Sequence, residues 1–75
     1  MKRELNYEEE RRTSVHLMDI LKKNTLFLTV GQMCRSSAVV LGFDSPSFVR
    51  SFLNQWAFAL NRARLENGEI AYHWK

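Results

Sequence analysis

One cysteine, one proline and three glycines are spread over 75 residues, and none of them is clustered. The lone thiol, Cys34, excludes an internal disulfide framework. With no signal-like apolar stretch behind the charged start Met1-Lys2-Arg3-Glu4, the expectation is a reducing cytoplasm. The apolar runs, such as Ala38 to Leu41 and Trp56 to Leu60, fall far short of the ~20 residues of a spanning helix, so no membrane partner is expected. No repeat, low-complexity tract or Pro/Gly/Ser linker divides the chain, which reads as a single domain over residues 1–75. Its first five or six residues are expected to fray.

Metal and catalytic chemistry are short of parts. Cys34, His16 and His73 are scattered without the paired spacing of a structural zinc site. Gly31, Gly42 and Gly68 stand alone, so no glycine-rich loop cradles a phosphate. Cys34 as nucleophile with His16 or His73 as base lacks a third group to orient the pair. On an apolar helical face its usual role is that of a small buried hydrophobe. No metal, no cofactor and no enzymatic activity are expected.

What the chain does have is apolar mass: 45% hydrophobic residues, with five phenylalanines, two tyrosines and two tryptophans. A chain this short buries only about 60% of the surface its unfolded form exposes. Either the core is unusually aromatic, or some of this apolar surface meets a partner, often a second copy of the chain.

The net charge of +3 is unevenly placed. Residues 1–23 nearly cancel, whereas Ser45 to Leu65 carries Arg50, Arg62 and Arg64 and no acid. A cationic, acid-free segment is compatible with phosphate contact.

Periodicity predicts a mainly α fold of three helices, the third long, with at most a two-stranded β element. The first helix spans Tyr7 to Lys23, with Asn6 as N-cap, Lys22 and Lys23 in the last turn, and Asn24 as its end. Leu26 to Val30 reads as a strand or as the entry to the second helix. Thr29 suits its N-cap, and Val30 to Leu41 is the helix, stopped at Gly42. Asp44-Ser45-Pro46 is the clearest helix start, two capping residues before a proline. The apolar stripe from Phe48 to Ala63, with Gly68 beyond it, predicts one helix from Pro46 to Asn67. Ile70, Tyr72 and Trp74 then alternate as in a strand, which the Leu26–Val30 segment is able to pair.

This order is that of a helix-turn-helix with a minimal wing. The polar side chains near the start of the third helix, Ser45, Ser47, Arg50, Ser51, Asn54 and Gln55, are the candidates for reading base edges. Arg35, Arg62, Arg64 and Lys75 are the candidates for phosphate. The stretch Leu41-Gly42-Phe43-Asp44-Ser45-Pro46-Ser47-Phe48, continuing to Arg50 and Phe52, resembles the turn and helix start of AraC-type helix-turn-helix regulators. Thr29-Val30-Gly31-Gln32-Met33 is similar to the entry of the first helix of such pairs, and the likeness covers about a dozen residues. Glu66-Asn67-Gly68-Glu69-Ile70 resembles the exit from a winged-helix recognition helix. With seven residues after Gly68, a full two-strand wing is not expected.

The function so read is a small DNA-binding transcriptional regulator of bacterial or phage type, acting as a homodimer. The alternative is a small protein-binding inhibitor or adaptor of phage or plasmid type. Trp56-Ala57-Phe58-Ala59-Leu60 makes the middle of the expected long helix apolar nearly all round, which calls for cover from a core or another chain. Trp56, Phe58 and Leu60 are accordingly the candidates for a dimer or partner interface, with Trp56 the one best suited to the core.

Overall fold

The computed structural model describes residues 5–75, so the expected fraying of the first residues falls largely outside the described part. Helix α1, Tyr7–Lys23, begins in a reciprocal capping box. Asn6 Oδ1 accepts the Glu9 N–H at 2.8 Å, and the Asn6 N–H donates to Glu9 Oε1 at 3.3 Å. Lys22 and Lys23 occupy the last turn, and the Asn24 N–H closes the helix on the Ile20 carbonyl. Thr29 serves two elements at once. It ends strand β1, Leu28–Thr29, and caps helix α2, Val30–Leu41, through a second capping box with Gln32. Gly42 then takes the left-handed conformation (φ 84°) and donates its N–H to the Ala38 carbonyl at 2.7 Å.

Helix α3 starts at Pro46, as the sequence predicts. Ser45 stands at its N-cap, but the hydroxyl makes no capping bond, so the start rests on the fixed φ of Pro46. The helix does not run to Asn67. It ends at Gln55, and a 3-10 turn over Ala57–Ala59 leads into strand β2, Leu60–Arg64. Strand β3, Ile70–Trp74, lies between the other two in an antiparallel sheet of order β1-β3-β2.

The expected pairing of β3 with the Leu28 segment is present, with Leu28 opposite Tyr72 and Thr29 opposite Ala71. The limit of two strands is corrected to three. β2 pairs along its whole length, from Leu60 opposite Trp74 to Arg64 opposite Ile70. The hairpin closes at Leu65-Glu66-Asn67-Gly68, where the Gly68 N–H reaches the Leu65 carbonyl and Gly68 has φ 89°. A turn followed by a glycine in the left-handed region is a common hairpin closure.

The core takes residues from every layer: Leu17 and Leu21 from α1, Met33 from α2, Val49, Phe52 and Leu53 from α3, and Leu60 from β2. Trp56, Tyr72 and Trp74 pack against its edge. Burying Phe52, 2% exposed, contributes about 2–3 kcal/mol. Among the described residues no helix is long and apolar enough to cross a membrane.

Candidate nucleic-acid interface

Because α3 buries Val49, Phe52 and Leu53, its opposite side must face solvent. Ser47, Arg50, Ser51, Asn54 and Gln55 are all exposed there, at spacings of three and four that make one stripe. Ser45, at the N-cap, is half-buried. Arg35 is exposed on α2, outside this stripe.

The hairpin continues the surface. Leu60, Arg62 and Arg64 share one face of β2, opposite Trp74, Tyr72 and Ile70 of β3. Leu60 is buried in the core, whereas Arg62 and Arg64 are exposed. One strand face is thus covered at its root and open toward the turn, as expected where a hairpin projects past the helices. A groove of about 240 Å³ joins the two elements, lined by Leu53, Asn54, Ala57, Leu60, Arg62 and Tyr72. It brings together Asn54 of α3 and Arg62 of β2, two candidates drawn from the two halves of what the sequence suggests is a single helix.

Among the described residues Arg35, Arg50, Arg62 and Arg64 make no ion pair, so their guanidinium donors remain open to an external acceptor. Acid is confined to the edges of this surface: Asp44 before α3, and Glu66 and Glu69 at the hairpin turn.

The expected interface residues separate. Leu60 belongs to the core and is not available to a partner. Trp56 is half-buried, its ring 5.6 Å from Phe58 and 5.8 Å from Trp74. Phe58 alone of the three is largely open, at 70% exposure. The continuous apolar helix face that would have joined them is not formed, because the backbone leaves the helix at Trp56.

His16, Cys34 and His73 take structural positions. His16 Nε2 bonds Ser36 Oγ at 2.8 Å, tying α1 to α2. Cys34 packs half-buried against the core. Both ring nitrogens of His73 lie against carbonyls, Trp74 at 2.7 Å and Asn24 at 2.8 Å. Among the described residues no group of three or more His, Cys, Asp or Glu converges as a metal site.

Strand β2 and the Tyr72 floor of the groove were not legible from helical periodicity. Asn67-Gly68 between two five-residue segments is the signal that marks them, since this dipeptide favours hairpins. Searches of family profiles, characterised proteins and solved structures find no match to this chain.

Proposed function

We propose that this chain is a small duplex-DNA-binding regulator of winged helix-turn-helix type. In this reading α3 enters the major groove and the β2–β3 hairpin acts as the wing. The order α1-β1-α2-α3-β2-β3 with sheet order β1-β3-β2 supports it, as does the tight Gly42–Ser45 turn between α2 and α3. The observation that carries it is the acid-free, exposed stripe of α3 running through a shared groove into Arg62 and Arg64.

Each part has a chemical role. Arg50 offers a bidentate fork to guanine, and Asn54 or Gln55 an amide edge to adenine. Ser47 and Ser51 are short enough to let the helix backbone approach the groove floor. Arg62 and Arg64, with Arg35 and Lys75 further out, supply sequence-independent attraction to phosphates.

Anisotropy titrations of a mixed-sequence duplex across a salt series test the proposal. Four phosphate contacts predict a log–log salt slope of about −3.6. Arg62→Ala should lower its magnitude by about one and weaken all sequences alike. Absence of binding at low salt would sink the reading. The protein-binding alternative is left without the long apolar helix face on which it rests, with Phe58 as its one largely open residue.

A further inference from the structure

The solvent side of α1 carries a charge order that a second copy of the same helix satisfies. Glu8, Arg12, Val15, Asp19 and Lys22 recur at alternating spacings of four and three, with Arg11 beside them, and form one stripe. All six are exposed, on the side away from the buried Thr13, Leu17 and Leu21. Val15 sits at the centre, 57% exposed, and a shallow depression of about 280 Å³ is lined by Glu8, Arg11, Arg12 and Val15. Contacts within the chain are few here. Asp19 meets Lys23 at 3.2 Å between exposed side chains, and Lys22 Nζ lies 4.9 Å from the Trp74 ring. Among the described residues Glu8, Arg11 and Arg12 make no ion pair.

We propose that this stripe is a homodimer contact in which two α1 helices pack antiparallel about a twofold axis through Val15. Glu8 and Lys22 each stand seven residues from Val15, and Arg11 and Asp19 each stand four. The axis therefore sets Glu8 against the partner's Lys22 and Arg11 against the partner's Asp19, each pair formed twice, with the two Val15 side chains meeting between them. Sliding the helices by one turn in one direction opposes Glu8 to Asp19, and in the other Arg12 to Lys22. Like charges thus disfavour the neighbouring registers. An isologous contact of this kind closes at two copies. It uses no residue of the α3–hairpin surface and stands or falls independently of DNA binding.

Two measurements decide it. In a Cys34→Ser background, Val15→Cys should form an intermolecular disulfide under oxidised glutathione, because the axis brings the two β-carbons together. Val39→Cys on α2, a site with 84% exposure, controls for exposure alone and should link far more slowly. Sedimentation should show a dimer that forms with rising protein concentration. Arg11→Asp should weaken it on the order of tenfold, since each copy then sets like charges together, and adding Asp19→Arg should restore it. Circular dichroism identifies a variant that fails to fold, in which case Glu8→Lys with Lys22→Glu reads the same register. A monomer up to millimolar concentration overturns the proposal. So does a dimer indifferent to Arg11→Asp, or equal rates of linking in the Val15→Cys and Val39→Cys variants.

Discussion

Phe52 and Phe58 are the same side chain six residues apart, and their environments are opposite. Phe52 is 2% exposed among Leu17, Leu21, Met33 and Val49, whereas Phe58 is 70% exposed and touches the Trp56 ring. Phe52→Ala should cost about 3–5 kcal/mol in urea unfolding, and Phe58→Ala less than about 0.5 kcal/mol. A domain this small has on the order of 5 kcal/mol in hand, so the first substitution leaves it near its unfolding limit while the second is silent. Gly42 shows a different kind of cost. A Cβ built there meets nothing within 4 Å, yet φ is 84°. Gly42→Ala should therefore lose about 1–2 kcal/mol from backbone conformation alone, read as a fall in melting temperature with native spectra. Caps of this kind are legible in advance because they are local. Asn6, Thr29 and Gly42 each act within four residues of themselves, so their chemistry is complete in the sequence.

At the scale of elements, legibility ends where local chemistry stops deciding. Both ends of α1 and α2, and strand β3, follow from caps and periodicity. The end of α3 does not. No glycine or proline lies between Trp56 and Asn67, and Leu60, Ala63 and Arg64 are good helix formers. The chain leaves the helix because Leu60, Arg62 and Arg64 find partners across the sheet, and Trp56 finds Trp74. Such partners lie outside any helical window, and tertiary pairing outweighs a weak propensity. The hairpin that results is held by its ladder and its turn. Gly68→Ala, at φ 89°, should speed hydrogen exchange of the β2 and β3 amides while the α1 amides around Leu17 keep their protection. Equal loss in both regions would mean that hairpin and helices open as one unit.

For the whole molecule the deciding quantity is where charge sits. The net +3 is modest, and the long axis of 35 Å covers about one turn of duplex, so one copy has few phosphates within reach. On the proposed reading, binding to a duplex then depends on how little acid opposes the exposed arginines. The stripe of α3 has none, but Glu66 and Glu69 flank the hairpin turn beyond Arg64. If the hairpin lies against the duplex, these carboxylates fall within about one Debye length, near 10 Å, of the phosphates and subtract from affinity. Glu66→Gln with Glu69→Gln should then tighten binding to a mixed-sequence duplex by about threefold at low salt and have little effect at high salt. Both side chains are exposed and the turn bonds run through backbone and Asn67, so the melting temperature should hold. Glu10→Gln on α1, exposed and part of neither the dimer stripe nor the α3–hairpin surface, supplies the control: it removes the same sign of charge and should change affinity much less. Equal tightening by the hairpin pair and by Glu10→Gln, scaled for charge, would reduce the effect to net charge. It would also remove the hairpin from the interface, leaving α3 alone to meet the duplex.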